Sequence, residues 1–343
     1  MASSFDWKPK QVTKKILSPL ADRAHDVITS RFGLGTDAER KTLEAIGQIY
    51  SITRERVRQI ENAALATIRK SPEFKEHTFV FDELKQKIKD LGALVAEEEL
   101  LNHLAKDKST QNHLYLYMVL GDAFTRHKED DAFEARWSID GKTAEEVHGA
   151  LERLYSGLSD EDLVTENDLV ARFLDEMKDV AEAYKESEVV KRWLSISKKI
   201  GKNPLAEWGK ADSGNVKTRG IKDYAFLMMR KHGNPMHFRE VADAITKTFG
   251  KKTHVATCHN ELIKDPRFVL VGRGVYALCE WGYKPGVVRD VIKEILKKNG
   301  PLTKEDVVER VLKERYLKKN TILVNLQNPK YFKKMKDGRY TTV

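Results

Sequence analysis

The sequence predicts a mainly α chain: a helix-turn-helix at the front, then tandem helical modules that each close on a small β-wing. Three observations predict it. Residues 41–70 hold two amphipathic stretches parted by the short turn Tyr50-Ser51-Ile52. Four later segments repeat one apolar–acid–apolar pattern at intervals of 69, 72 and 66 residues. Short apolar runs alternate around Gly272-Arg273-Gly274, and Lys336-Asp-Gly-Arg339 marks a second tight turn, both hairpin signals. A hydrophobic content of 41% and a charged content of 33% suit several small domains better than one large enzyme core.

In the first stretch Leu43, Ile46 and Ile49 form an apolar stripe, and Gly47 is expected to let a second helix cross closely. Ile52 is expected to anchor the turn in the core. Thr53 is a suitable N-cap for the next helix, although Arg56 stands where a capping box would have Glu or Gln. At about 100° per residue, Val57, Ile60, Ala64 and Ile68 share one face of that helix. Arg54, Glu55, Arg58, Gln59 and Asn62 occupy a separate arc. Those side chains suit base edges: Arg for guanine, Gln or Asn for adenine, Glu for the cytosine amino group. An ordinary solvated helix face would also be polar, so the arc alone leaves both readings open.

The string Thr53-Arg-Glu-Arg-Val-Arg-Gln-Ile-Glu61, after Thr42-Leu-Glu-Ala-Ile-Gly47, closely resembles region 4.2 of sigma-70-type factors, which reads the promoter −35 element. Leu20-Ala-Asp-Arg23, Val27-Ile28 and Arg31-Phe-Gly-Leu34 resemble region 4.1, so the resemblance runs over about residues 18–72. It implies base contacts by Arg54, Glu55, Arg58 and Gln59, with backbone contacts supported by Thr53 and Arg56. It also implies a polymerase surface on Arg23–Leu34, because region 4.1 touches the flap of the β subunit. No pattern resembling region 2 follows in the remaining 270 or so residues. A complete sigma factor, able to open the duplex, is therefore not expected.

The repeats begin at Val95, Val164, Met236 and Leu302. Each places an acid four residues on (Glu99, Asp168, Glu240, Asp306), an apolar residue next, and another apolar residue four beyond that. Each is followed by an aromatic: Trp137, Trp208, Tyr276 and Tyr340. The unit has the length of a winged-helix module. In the third copy helices are expected near Ile221–Lys231, Phe238–Phe249 and His254–Lys264, then strands Phe268–Val271 and Val275–Leu278. The second copy shows no clear wing. The domains expected are 1–75, an acidic module 76–141, a diverged module with a basic linker 142–215, 216–283, and a basic module 284–343.

The third copy carries a second resemblance. Gly233-Asn-Pro-Met-His-Phe238, Asn260-Glu-Leu-Ile-Lys-Asp265 with Arg267-Phe268, and Gly274-Val-Tyr-Ala-Leu278 with Trp281 look like a HARE-type winged helix. That family includes the N-terminal domain of the RNA polymerase delta subunit, and the match covers about residues 218–283. The resemblance implies DNA or protein binding. Lys251, Lys252, His254 and Arg273 flank the expected third helix and wing, where phosphates are within reach.

Charge separates along the chain: +5 over residues 1–70, −15 over 71–190, +10 over 191–282 and +9 over 283–343. A polyanion is drawn to both ends and repelled by the middle. The basic stretch Lys198–Lys202 with Lys210 is expected to follow a phosphate backbone, a solvated linker being the other reading, and Trp137 and Trp208 are expected to close cores rather than stack on bases. His254, Cys258, His259 and Cys279 have no usual zinc spacing, and Gly272-Arg-Gly274 lacks the Gly-Lys-Ser/Thr of a phosphate loop. No metal, cofactor or enzymatic chemistry is expected. With no apolar run of about 18 residues, no signal segment and two cysteines, a cytoplasmic protein without a membrane partner is expected.

Together these observations predict a bacterial transcription protein that binds promoter-like double-stranded DNA, its linked modules adding avidity. The alternative is an accessory subunit that docks on core RNA polymerase, including the β flap, mainly through protein contacts. Nonspecific chromosome packaging is a third reading.

Overall fold

The computed structural model describes residues 5–177, 184, 186–283, 287–315 and 318–343. The chain divides into two units: residues up to Gly201 with Trp208–Ala211, and Lys202–Glu207 with Asp212–Val343. The first unit opens with α1 (Pro9–Leu17), α2 (Asp22–Phe32), α3 (Leu43–Tyr50), α4 (Arg54–Lys70) and α5 (Pro72–Glu76). From there one topology recurs four times: a helix, a short strand or bridge, two helices, and an antiparallel wing.

The first copy is α6 (Phe79–Asp90), β1 (Leu94–Ala96), α7 (Glu97–Leu104), α8 (Lys108–Leu120), β2 (Thr125–His127) and β3 (Arg136–Ser138). The second is α9 (Gly141–Gly157), α10 (Glu166–Glu176), α11 (Ser187–Ile196), β4 (Ile200–Lys202) and β5 (Trp208–Lys210). The third is α12 (Ile221–His232), β6 (Met236–His237), α13 (Phe238–Phe249), α14 (Val255–Lys264), β7 (Phe268–Gly272) and β8 (Val275–Leu278). The fourth is α15 (Val288–Asn299), α16 (Lys304–Glu314), α17 (Lys319–Leu326), β9 (Phe332–Lys334) and β10 (Tyr340–Thr342). The second copy therefore does have a wing. Its strands are three residues each, too short for alternation to show in sequence.

The repeat has a physical basis. Val95 pairs across the sheet with Trp137, Val164 with Trp208, Met236 with Tyr276 and Leu302 with Tyr340. The apolar residue that starts each copy and the aromatic that ends it are thus cross-strand partners, a pairing that fixes register. The repeated acid stands at the third position of the following helix, where it holds the helix start. The Asp168 amide donates to Thr165 Oγ1 (3.2 Å), whose hydroxyl donates to Asp168 Oδ2 (2.7 Å), and Thr303 with Asp306 repeats the arrangement. The His237 amide donates to Glu240 Oε2 (2.9 Å). In the first copy Ala96 has no capping side chain, and Glu99 instead accepts from Arg192 Nε of α11 (3.0 Å).

In the first unit each acidic copy lays its third helix against the element before it. α8 has no charged residue from Ser109 to Leu120 and buries Asn112, His113, Leu114, Leu116, Tyr117, Met118 and Leu120. An apolar, uncharged helix is a helix covered on several sides. Its core is continuous with Ile16 of α1, Ile28 and Phe32 of α2, and Ala64, Leu65 and Ile68 of α4. The position 75/76 thus lies inside one hydrophobic cluster. Polar contacts fix the arrangement: Asn112 Nδ2 donates to the Gly33 and Ala38 carbonyls (2.9 Å each) and Asn112 Oδ1 accepts from Arg40 Nε (2.7 Å). Tyr117 Oη donates to the Pro9 carbonyl (2.6 Å), and Arg69 donates to the Val119 and Leu120 carbonyls. In turn α11 packs on β1, with Trp193 Nε1 donating to the Gly92 carbonyl (3.2 Å).

In the second unit the third copy buries Phe226, Val241, Ile245, Cys258 and Leu262. Arg267 ties its ends together by donating to Asp265 and to Asp223, whose carboxylate also holds the start of α12. Gly274, at φ +71°, brings the wing turn against His237 and Phe238; a Cβ there would stand 2.6 Å from His237 Nε2. The fourth copy has its own core of Ile292, Val307, Val311, Ile322 and Phe332. Among the described residues no helix is long and apolar enough to cross a membrane.

Candidate nucleic-acid interface

Short-range contacts at the ends of α3 and α4 build the turn between them. Thr42 caps α3 by accepting from the Ala45 amide (3.1 Å), and Ser51 leaves the helix in the left-handed region at φ +54°. The Ile52 amide then donates to the Gly47 carbonyl (2.9 Å). Gly47 is required by this turn and not by a helix crossing: a Cβ would lie 2.6 Å from the Ile52 carbonyl oxygen. Thr53 caps α4 by accepting from the Arg56 amide (3.2 Å). Val27, Ile46 and Val57 form the small core beneath, with Leu43, Tyr50, Ile52 and Ile60 half-buried around it. Ile49 does not join the stripe expected of it. It is 57% exposed, because the face of this eight-residue helix is set by Leu43, Ile46 and Tyr50.

Val57, Ala64, Leu65 and Ile68 hold α4 down, and Arg54, Glu55, Arg56, Arg58, Gln59 and Asn62 are all exposed. Four of them are paired with one another. Arg58 donates from Nε and Nη2 to the two Glu55 oxygens (2.8 and 2.7 Å), and Arg56 Nη1 donates to Gln59 Oε1 (3.1 Å). The Arg58 hydrogen bond holds the Glu55 carboxyl below its usual range, and Glu55 raises Arg58 in return. Both stay charged, and neither is tied to the protein body. The arc therefore combines bidentate donors and acceptors with the positive end of a 17-residue helix.

In the second unit Lys252 and His254 are exposed just before α14, and Arg273 is exposed at the wing turn. Lys251 is half-buried, its ammonium 4.5 Å from the centroid of the Tyr224 ring. Cys258, His259 and Cys279 of this copy each have a burial or partner that does not involve a metal. Cys258 is buried, its thiol pushed up to about 11 by desolvation; His259 stacks on Phe238 at 4.2 Å; Cys279 Sγ donates to the Pro266 carbonyl. Among the described residues no three His, Cys, Asp or Glu side chains are grouped to hold a metal ion.

The basic stretch at 198–210 is not an open phosphate track. Lys198 pairs with Glu129 (2.7 Å) and Lys210 with Asp160 (2.9 Å), while Lys199 and Lys210 lie over the Tyr155 ring. Surrounding acids of the same unit consume these charges. Trp137 and Trp193 are fully buried and Trp208 nearly so, which makes them core residues. The residues that sequence reasoning passed over are those of α8. Their burial was signalled by the twelve-residue uncharged run 109–120 in a chain that is one-third charged. The consequence for the stretch 23–34 is direct: Arg23 and Asp26 are exposed, whereas Phe32, Gly33 and Leu34 are buried, Gly33 beneath Asn112 of α8.

Comparison with known proteins separates two segments. Residues 16–70 match the family model for sigma-70, region 4, and residues 219–281 match that of the HARE-HTH domain, the helix-turn-helix of ASXL and restriction endonuclease proteins. Over 56 residues the chain is 52% identical to RNA polymerase sigma factor SigA of Nostoc sp., covering 16% of this chain and 14% of that one. It is 52% identical over 54 residues to RNA polymerase sigma factor SigA1 of Synechococcus elongatus (16% and 13%), and 50% identical over 56 residues to SigA of Synechocystis sp. (16% and 13%). The chain thus spans about a seventh of the length of the curated relatives it matches. Both resemblances read from the motifs, to region 4 and to the HARE-type helix, are present at nearly the expected boundaries.

Proposed function

We propose that this chain is a transcription protein that binds double-stranded DNA by inserting α4 into a major groove and reading a −35-like sequence with Arg54, Glu55, Arg58 and Gln59. One observation carries the reading: all four side chains are exposed and face away from the core on a capped, well-anchored helix. The identity to sigma factors falls on this same segment. Asn62 extends the arc by one turn, and Thr53 and Arg56 stand at the helix start where a phosphate would lie. Each bidentate base contact contributes about 1–3 kcal/mol of discrimination. On binding, Arg58 exchanges Glu55 for a guanine edge, freeing that carboxylate for a cytosine amino group. Reading sequence in this way requires no catalytic step.

The rival in which the chain acts mainly by docking on polymerase through residues 23–34 is less favoured. The C-terminal part of that stretch is already occupied by α8 of the same chain. The test compares a −35-like duplex with a scrambled one in a fluorescence-anisotropy titration at several salt concentrations. Arg54→Ala and Arg58→Ala are each expected to reduce the preference between the two duplexes by about 1–3 kcal/mol. Equal affinity for both duplexes in the wild type, with salt-insensitive binding to core polymerase, would favour docking instead.

A further inference from the structure

The four copies share a topology but not the use of their third helix. α8 and α11 are buried within the first unit, and the basic side chains beside them are paired: Arg192 with Glu99, Lys191 with Glu166 and Glu188. In the fourth copy the third helix, α17, buries only Ile322 and Leu326. Lys318, Lys319 and Asn320 at its start are exposed, and so are Lys333, Lys334 and Lys336 in the wing. None of these five lysines has a carboxylate partner among the described residues.

Net charge in this copy is uneven: α15 and α16 carry seven lysines and arginines against six acids and are nearly neutral. Asp290, Glu294, Glu305, Asp306, Glu309 and Glu314 all fall on α15 and α16. From residue 315 to 343 there are eight lysines and arginines against one acid, Asp337. That acid is occupied at the wing turn, accepting from the Arg339 amide (3.1 Å) and pairing with its guanidinium (3.4 Å). A copy with one near-neutral and one strongly basic part meets a polyanion with the basic part. A helix with an exposed basic start beside a basic wing fits a groove and its bordering phosphates.

From this arrangement we infer that α17 and the β9–β10 wing form a second duplex DNA-binding site, one that grips the phosphate backbone without reading sequence. Lysine is a point charge suited to phosphate and carries little base discrimination. Val324, 69% exposed, stands one turn beyond Asn320 and carries no hydrogen-bonding group for a base edge. The occupant is B-form DNA, because the major groove of an A-form RNA duplex is too narrow to admit a helix. The inference rests on the reading of the chain as a duplex binder, but on different residues.

The experiment titrates the full chain with duplexes of random and of −35-like sequence between 50 and 200 mM salt, using the triple variant Lys333→Glu, Lys334→Glu, Lys336→Glu. These side chains are exposed, and an unchanged circular-dichroism melt checks the fold. The variant is expected to lose about tenfold or more in affinity on both duplexes, and its log–log salt slope to fall by about 3. Lys319→Glu is expected to act in the same direction. Unchanged affinity and slope on both duplexes would overturn the inference, as would a wild type that prefers RNA duplex or anionic phosphatidylserine vesicles over DNA. Failure of the α4 reading has a different signature: no preference for the −35-like duplex, with the lysine effect intact.

Discussion

Replacing Asn112 with alanine tests whether the helix-turn-helix is held by the first winged module. Asn112 is 1% exposed and makes three hydrogen bonds to the segment 33–40: two from Nδ2 to backbone carbonyls and one from Arg40 Nε to its Oδ1. A neutral buried bond contributes about 1 kcal/mol, a charged one about 1.5–3, and stranded partners cost more. Arg40 is half-buried and lies 3.9 Å from the Tyr115 ring centroid, so it regains some water and keeps its stacking. The net cost is about 3 kcal/mol, or roughly a hundredfold in the local opening equilibrium. Amide hydrogen exchange read by mass spectrometry reports this directly, through the Leu34 and Lys41 amides, which donate to Thr29 and Ser30. Exchange over residues 30–42 is expected to accelerate about a hundredfold by this estimate, with the fourth copy unaffected. Rates over that segment within twofold of wild type would refute the reasoning.

Three further outcomes follow from the same geometry. Gly47→Ala forces a Cβ to 2.6 Å from the Ile52 carbonyl and is expected to destabilise the α3–α4 turn by about 1–3 kcal/mol, read as faster exchange in residues 43–57. His148 accepts from Arg136 Nε (2.6 Å), and desolvation, then Arg136 and His127, lower its pKa from 6.5 to about 4. The unfolded chain binds that proton first, so stability is full above about pH 6.5 and falls toward pH 4, by on the order of 1–2 kcal/mol once solvent screening of this half-buried ring is allowed for. Tryptophan-monitored urea midpoints at pH 7 and 4.5 are expected to show this, and His148→Gln, which keeps an acceptor for Arg136, to flatten it. Cys258, buried with its thiol pushed up to about 11, is expected to resist iodoacetamide in the folded chain and to react in urea.

Much of the architecture was legible because its periodicity has a mechanical cause. Val95 with Trp137 and Leu302 with Tyr340 recur in sequence because they meet across a sheet, and Asp168, Glu240 and Asp306 because each holds a helix start. The α4 arc was legible for a similar reason: a capped helix with a regular apolar face leaves one side for solvent. What escaped notice depended on tertiary partners. Lys198 and Lys210 look like an open basic loop until Glu129 and Asp160 fold against them. Ile49 reads as core by hydrophobicity, yet one residue of rotation puts Tyr50 inward instead. The covering of residues 32–34 by α8 joins positions some eighty residues apart, which local pattern does not encode.

The central claim is that α4 presents its arginines, glutamate and glutamine to base edges. Selection of bound sites from a random duplex pool, with wild type and with Arg58→Ala plus Gln59→Ala, tests it most directly. The account predicts one enriched motif for the wild type and a variant that loses preference at one or two adjacent base pairs while keeping the rest. An identical motif from both proteins, or no motif from either, would contradict it.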